Sequence, residues 1–333
     1  MLSTNQYVRV FSFDFTKAFD TVRHETLMSK MATLRIPDNI YNWINDFFGE
    51  HYHCTKFDGQ CSSVAEVKAS VIQGSALGPA SYVVTAADLH PVTPANRIFK
   101  YADDTYLVVS AANSRSCLAE IAHIDEWAAT NNLKLNCAKS KEIIITARGK
   151  RGKSVQPPPP CSNIERVSSL RVLGVILNDK LTATGHVDNL LSASTGLMYA
   201  LRVLRSHGIP PASLHDVFRA TVVSKITYCS PAWSGMCSAA DRARLDAFLN
   251  RCKRLGFCDK DLPSATELFS DADDALFERI NTNSQHVLQR YLPDRPDPHY
   301  SLRERSHNKS LITKSSELSE RDFLIRILYK HCY

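Results

Sequence analysis

Tyr101-Ala102-Asp103-Asp104 is the stretch that decides the fold, and the residues on both sides of it alternate as those of a half-buried strand do. Phe99 shares one parity with Tyr101 before the acidic pair, and Leu107 shares one with Val109 after it. This pattern predicts a tight antiparallel hairpin with two adjacent carboxylates at its tip. An Asp pair in so apolar a hairpin is costly to bury unless a cation offsets the repulsion between the two charges. A plain turn is an equally good explanation of the tetrapeptide alone, since Asp residues favour turns.

A third acidic residue follows a strand near the start of the chain. Three phenylalanines alternate with polar residues over 11–15, and Asp14 stands at the C-terminal end of this predicted strand, just before a turn into a helix. Together with Asp103 and Asp104 it makes three carboxylates at strand ends or hairpin tips. Such a set suits two Mg²⁺ ions about 3.5–4 Å apart, which clamp the attacking and leaving oxygens of an in-line phosphoryl transfer. Mg²⁺ uses few protein carboxylates and completes its shell with water and substrate phosphates.

The remaining pattern predicts strands and helices in the first half and helices in the second. The expected elements are helices at 27–34 and 38–47, a strand at 64–72 running into a glycine loop at 73–79, a helix from there to about 89, strand material at 133–136, 141–146 and 170–177, and helices at about 190–204, 212–228 and 239–255. The apolar segment at 170–177 is expected to be a single strand that turns at Asn178-Asp179. A glycine at the strand-to-helix turn of 73–79 allows close approach of a ligand, although such loops are often plain turns.

The charge of the chain is mildly basic and unevenly distributed. The formal net charge is +6, and between residues 197 and 262 ten Lys and Arg face five Asp and no Glu. This excess suits a surface that lies along a phosphate backbone, while the charged outer faces of ordinary helices explain it as well.

The sequence also indicates where the protein is found in the cell and whether it binds zinc. The start of the chain has no basic stretch followed by an apolar one, and no apolar run approaches the length of a membrane span, so we expect a soluble intracellular protein with no membrane partner. Ten cysteines are scattered without a Cys-x-x-Cys pair, which predicts reduced thiols. The cluster of His51, His53, Cys54 and Cys61 matches no standard zinc spacing, so zinc is not expected.

Five segments, in chain order, resemble the palm motifs of reverse transcriptases. Their residues are most similar to those of the LINE-type, jockey-like enzymes, which belong to retrotransposons without long terminal repeats. They are Phe13-Asp-Phe-Thr-Lys-Ala-Phe-Asp20, Gln73-Gly-Ser-Ala-Leu-Gly-Pro79, Tyr101-Ala-Asp-Asp104, Leu133-Lys-Leu-Asn-Cys-Ala-Lys139 and Leu173-Gly174. The helical stretch after them resembles the polymerase thumb.

The resemblance implies which residues carry the chemistry. Asp14, Asp103 and Asp104 would bind two Mg²⁺ ions, with Mn²⁺ as an alternative metal, and the backbone carbonyl of Phe15 would assist. Lys139 matches the lysine near the triphosphate, a candidate general acid for the departure of pyrophosphate.

The resemblance also implies the residues that bind substrates. Phe19 matches the steric gate, a bulky ring that rejects a ribose hydroxyl and so selects deoxynucleotides. Gln73 and Gly74 would contact the incoming nucleotide and the template base, and Tyr101 belongs to the same substrate-binding set. Leu173-Gly174 would form part of the primer grip. The implied partners are therefore an RNA template, a DNA primer and deoxynucleoside triphosphates.

The implied fold class is α+β. A right-hand polymerase palm, an antiparallel sheet backed by helices, is expected at 1–182, a helical thumb-like region at 183–262 and a C-terminal extension at 263–333. Only Met1–Tyr7 precede the first palm strand, so the fingers are largely missing from this sequence. We expect the chain to be the N-terminally truncated part of a longer element.

The predicted function is RNA-directed DNA polymerisation by nucleotidyl transfer to a primer 3′-hydroxyl, and two alternatives remain. Viral RNA-dependent RNA polymerases usually carry a second Asp five positions after the first and a Gly-Asp-Asp hairpin, whereas Phe19 and Ala102 stand at those positions here and favour DNA synthesis. The other alternative is a truncated remnant that folds, binds nucleic acid at most and catalyses nothing. The intact Asp triad favours the polymerase, and the missing fingers favour the remnant.

Overall fold

A mixed five-stranded sheet organises the first of the two units into which the chain divides, Met1–Ser168 and Ser169–Tyr333. The computed structural model describes residues 1–72, 74–146, 156–161, 163–295, 307–330 and 332. The strands of the first unit are β1 (Tyr7–Phe13), β2 (Tyr52–His53), β3 (Lys56–Phe57), β4 (Gln60–Cys61), β5 (Ala65–Glu66), β6 (Arg97–Tyr101), β7 (Asp104–Ser110), β8 (Lys141–Thr146) and β9 (Glu165–Val167). In the main sheet the spatial order is β6-β7-β1-β8-β9, with β9 parallel to β8 and all other pairs antiparallel.

Strand β1 lies at the centre of this sheet, with a strand paired to it on each side. Val10 pairs with Val108 of β7 on one side and with Ile143 of β8 on the other. Phe11 and Phe13 are both buried. The predicted hairpin at 98–109 is confirmed as β6 and β7, in which Tyr101 pairs directly with Asp104.

A network of buried and half-buried charged side chains crosses the sheet. The Arg9 guanidinium of β1 is buried and lies 2.6 Å from the Glu142 carboxylate of β8, which is fully buried. Arg166 of β9 lies 2.8 Å from the other oxygen of Glu142. Arg9 also donates a hydrogen bond to the Sγ of Cys161 at 3.1 Å. Removing one member of such a buried pair would leave a charge without compensation.

Among the described residues of the first unit, five α-helices pack with this sheet. They are α1 (Ala18–Thr21), α2 (His24–Met31), α3 (Asp38–Phe48), α4 (Leu77–Thr85) and α5 (Cys117–Thr130). Leu27 and Ile44 are buried in one hydrophobic core with Phe11 and Ile124, which joins α2, α3, β1 and α5. The helix predicted at 38–47 is confirmed as α3, and the one predicted at 27–34 is found as α2, which begins and ends three residues earlier.

The strand predicted at 64–72 is wrong. Only β5 is extended there, and it pairs with β2 away from the main sheet. Beyond β5 the backbone turns at Ser70, which has a φ of 106°. Its N–H bonds the carbonyl of Val22 at 3.0 Å, and the next N–H, of Val71, bonds the carbonyl of Phe19 at 2.8 Å. The backbone here is therefore bonded to the α1–α2 region, and Val71 is buried while Val64 and Ile72 are exposed. Local alternation alone does not distinguish this arrangement from sheet pairing.

The second unit begins with a β-hairpin and continues as helices. Its elements are β10 (Ser169–Val172), β11 (Val175–Asn178), α6 (Thr184–Ser206), α7 (Pro211–Phe218), α8 (Ser224–Thr227), α9 (Ser230–Trp233), α10 (Ala239–Arg254), α11 (Ala265–Thr282), α12 (Glu317–Arg321) and α13 (Phe323–Lys330). A π-helical segment, Arg219–Val223, joins α7 to α8. Helices α10 and α11 each begin with a capping box, at Ser238 and Ser264. The fold class is α+β, as predicted, and none of the described helices has the length and apolar composition that a bilayer span needs.

The single strand predicted at 170–177 is wrong, because the chain reverses in its middle. Strands β10 and β11 pair antiparallel, with Val172 opposite Val175. Leu173 and Gly174 form the two-residue loop and both have positive φ, 46° and 87°. Two successive positive φ values are typical of the type I′ turn that joins tight hairpins.

Candidate active site

The end of β1 and the β6–β7 turn lie next to each other because β1 and β7 are paired. Phe13 is opposite Thr105, so Asp14 follows one strand end and Asp104 precedes the other. Asp103 occupies the second position of the two-residue turn. The first position, Ala102, has a φ of 51°, while Asp103 does not have a positive φ. This combination is typical of a type II′ turn, in which glycine is favoured at the first position, so alanine there carries backbone strain.

The backbone of Asp14 is fixed by the segment between α5 and β8. Its N–H donates to the Ser140 hydroxyl at 3.3 Å, and its carbonyl accepts from the N–H of Asn136 at 2.8 Å. Phe15 forms an isolated bridge with Leu135. The Phe15 ring is buried and meets the Trp127 ring edge-on, with centroids 6.0 Å apart. Asp14 is therefore held on a rigid frame while its side chain stays half-buried.

The three carboxylates interact electrostatically and lack compensating partners. Partial burial raises the pKa of Asp104, and the charges of Asp103 and then Asp14 raise it further. None of the three side chains forms an ion pair or a hydrogen bond with any residue that the structure describes. The site therefore concentrates negative charge and offers carboxylate oxygens, the ligands that Mg²⁺ prefers.

The carboxylates are near one another without forming a closed ligand cluster. In the described ranges, no group of three or more His, Cys, Asp and Glu side chains is arranged around a single point as a metal centre would be. Mutual repulsion opposes such convergence until a cation offsets it. The residues thus fit a divalent ion by donor chemistry and by their unpaired charge.

The remaining predicted site residues of the first unit lie on several elements. Phe19, in α1, is half-buried and packs its ring on Tyr82 of α4, with centroids 5.0 Å apart. Gly74 is exposed, has a φ of 86°, and a Cβ there would meet nothing within 4 Å. Gln73 lies outside the described residues. Tyr101, at the end of β6, is 67% exposed.

Lys139 follows the segment that holds Asp14. Its backbone N–H bonds the carbonyl of Asn136 at 3.2 Å, which makes a turn just before β8. The side chain is exposed, and no ion pair engages it among the described residues. A free ammonium group in this position can reach an anionic ligand without first breaking a salt bridge.

Leu173 and Gly174 belong to the second unit, where one tyrosine holds their turn. The Tyr228 hydroxyl donates to the carbonyl of Leu173 at 3.0 Å. A Cβ on Gly174 would lie 3.3 Å from a ring carbon of Tyr228. Glycine is required there both by the positive φ and by this close contact.

Two features of the first unit were not predicted from the sequence. Tyr82 is 1% exposed, and burial together with the charge of Asp103 raises its pKa. The only signal for it is an aromatic residue one helical turn beyond the glycine loop. The buried Arg9–Glu142 pair had a weak signal, since each charge interrupts an otherwise apolar strand.

Comparisons with known proteins find similarity to reverse transcriptases of mobile elements. The model of the family described as reverse transcriptase (RNA-dependent DNA polymerase) matches residues 1–177. The chain is 30% identical over 197 residues to the RNA-directed DNA polymerase from mobile element jockey of Drosophila melanogaster, which covers 54% of this chain and 20% of that protein. It is 25% identical over 304 residues to the probable RNA-directed DNA polymerase from transposon X-element of the same species, covering 86% of this chain and 32% of that protein.

A structural comparison gives a more distant likeness. Telomerase from Candida tropicalis, solved in complex with a fragment of telomeric RNA, superposes with a TM-score of 0.42 at 12% identity, over 86% of this chain and 48% of that one. That score is too low to support an inference. The chain spans only about a fifth to a third of the length of the two Drosophila relatives.

Proposed function

Because the chain belongs to the reverse transcriptase (RNA-dependent DNA polymerase) family, we propose that it performs RNA-templated DNA synthesis at Asp14, Asp103 and Asp104. The observation that carries this proposal is the set of three carboxylates at paired strand ends, coupled through the raised pKa of Asp104 and without partners among the described residues. Carboxylates kept unpaired in this way cost stability, so a ligand that offsets them accounts best for their arrangement.

The three aspartates would hold two divalent ions, Mg²⁺ or alternatively Mn²⁺. When bound, such ions act as Lewis acids on the phosphoryl oxygens and lower the pKa of the attacking hydroxyl. The protein contributes the rigid placement of the ligands, through the β1–β7 pairing and the backbone bonds of Asp14. The carbonyl of Phe15 is proposed as an additional ligand oxygen.

The other residues are assigned to the substrates. Lys139 is proposed to donate a proton to the departing pyrophosphate, since its side chain is exposed and forms no ion pair with a described residue. Phe19 is proposed to exclude the ribose 2′-hydroxyl. Tyr101 is proposed to contact the nucleic acid beside the β6–β7 turn. Gly74, with its neighbour Gln73, would approach the nucleotide and the template base, since its surroundings are open.

In this proposal the substrates are an RNA template, a DNA primer and deoxynucleoside triphosphates. The palm would extend over 1–182, the thumb over 183–262 and a C-terminal extension over 263–333. The turn at Leu173 and Gly174 would grip the primer, and the bond from Tyr228 would keep that turn in place. The excess of basic residues between 197 and 262 supports a contact with phosphate backbones.

Primer extension tests the proposal. The full chain is incubated with an RNA template annealed to a DNA primer, Mg²⁺ and deoxynucleotides, beside the variant carrying Asp103→Asn and Asp104→Asn. These substitutions preserve size and remove charge, so folding is expected to survive. Extension by the wild type alone supports the polymerase. Nucleic-acid binding by both proteins with extension by neither supports the alternative of an inactive remnant and overturns the proposal.

A further inference from the structure

Phe19 rests on a buried tyrosine of the neighbouring helix. The ring centroids of Phe19 and Tyr82 lie 5.0 Å apart and the planes are tilted by 30°, a geometry typical of attractive aromatic pairs. Tyr82 is 1% exposed, whereas Phe19 is only half-buried. Part of the Phe19 ring therefore packs on a rigid base while the rest stays accessible to a ligand.

The backbone of Phe19 is tied to the same part of the chain. Its carbonyl accepts a hydrogen bond from the N–H of Val71 at 2.8 Å. Val71 precedes the glycine loop at 73–79 and Tyr82 follows it. Phe19 is thus held at its backbone by one flank of that loop and at its ring by the other, so its position depends on both.

The contribution of the Tyr82 hydroxyl can be distinguished from that of its ring by substitution. The oxygen is buried and has no hydrogen-bond partner in the described part of the chain. Burial and the charge of Asp103 raise the pKa of Tyr82, so the phenol remains neutral. A phenylalanine at this position would keep the packing and remove a buried polar group that is not bonded.

We propose that Tyr82 is a specificity-determining positioning residue, whose ring fixes how far the Phe19 ring stands from the sugar of a bound nucleotide. This inference rests on the proposed function, because Phe19 excludes a ribose hydroxyl only if a nucleotide binds there. Tyr82 does not touch the sugar and acts through Phe19. Without its ring, Phe19 can turn into the vacated space and leave room for the 2′-hydroxyl.

The test measures the affinities of dGTP and GTP for the full chain in Mg²⁺, opposite a template cytosine. The chain is bound to an RNA template and a DNA primer that ends in a dideoxynucleotide, so that the nucleotide binds without being added. Tyr82→Leu removes the ring, and Tyr82→Phe is the matched control. We expect the dissociation constant of GTP divided by that of dGTP to fall about fivefold in Tyr82→Leu, because GTP binds more tightly. The affinity for dGTP stays close to that of the wild type. Tyr82→Phe keeps the wild-type ratio. In a Phe19→Ala background, Tyr82→Leu has no further effect on the ratio.

The outcomes separate the inference from the function on which it rests. An unchanged ratio in Tyr82→Leu, while Phe19→Ala lowers it, overturns the role of Tyr82 and leaves the polymerase standing. Failure of the wild type to bind dGTP overturns the proposed function and this inference with it. If Tyr82→Leu does not fold, as judged by its circular dichroism, Tyr82→Met replaces it, since a flexible side chain of similar length fills the space without the flat support.

Discussion

Adding Mg²⁺ is expected to stabilise the first unit of the wild-type chain and to do so much less in the Asp103→Asn, Asp104→Asn variant. In the wild type the ion offsets the repulsion that raises the pKa of Asp104. Anything that binds only the folded state stabilises it by RT ln(1 + [L]/Kd). The variant lacks two of the three charges, so its folded state gains little from the ion.

The size of the effect follows from the size of the unit. At a Mg²⁺ concentration about ten times the dissociation constant, the stabilisation is about 1.4 kcal/mol. The first unit has 168 residues, Met1–Ser168. For a domain of that length, about 1 kcal/mol moves the unfolding temperature by roughly 2–4 °C. The expected shift is therefore about 3–6 °C.

Differential scanning calorimetry measures the shift, with a monovalent salt at equal ionic strength as control.

Protons compete with Mg²⁺ for the Asp104 carboxylate. The folded-state pKa of Asp104 is raised, so at pH values between its ordinary pKa and its raised pKa the folded chain binds more protons than the unfolded chain. The stability of the chain without Mg²⁺ therefore rises as the pH falls through that window. The Mg²⁺-induced shift is expected to shrink over the same window. An equal shift in wild type and variant would show that the ion binds elsewhere and would refute the assignment.

Three further substitutions test other parts of the structure. Glu142→Gln leaves the buried Arg9 guanidinium without its carboxylate and is expected to cost about 3–5 kcal/mol in urea unfolding; a loss within experimental error would show that the pair is not buried in solution. Gly174→Ala forces a Cβ into a turn with a φ of 87° and should lower the stability of the second unit by about 1–2 kcal/mol, measured by denaturant unfolding. An unchanged unfolding midpoint would contradict this expectation. Gly235→Ala places a Cβ against the carbonyl oxygen of Arg321 and should cost about 1–3 kcal/mol, seen as faster proteolysis of the C-terminal helices; unchanged proteolysis would argue against that packing.

The parts of the fold that depend on local pattern were predictable. The hairpin around Asp103 has alternating flanks, and the helices at 24–31 and 38–48 have apolar faces. The motif order placed the candidate residues, and the structure brings Asp14, Asp103 and Asp104 to neighbouring strand ends.

The parts that depend on distant contacts were not predictable. The segment at 64–72 has the alternation of a strand, but its hydrogen bonds go to the α1–α2 region. The apolar run at 170–177 hides a reversal because Leu173, which rarely adopts a positive φ, does so beside a glycine. Likewise, no local period shows that Tyr82 would pack beneath Phe19, since their contact joins residues far apart in sequence.

The most direct test of the central claim is the rate at which the full chain adds one deoxynucleotide to a DNA primer on an RNA template, measured in a single turnover against Mg²⁺ concentration. Ions held by Asp14, Asp103 and Asp104 would stabilise the transition state by several kcal/mol, so Asp104→Asn should lower the saturated rate by at least about a hundredfold. The wild-type rate should fall to background when the ion is chelated. A variant that matches the wild type at every Mg²⁺ concentration would contradict the account.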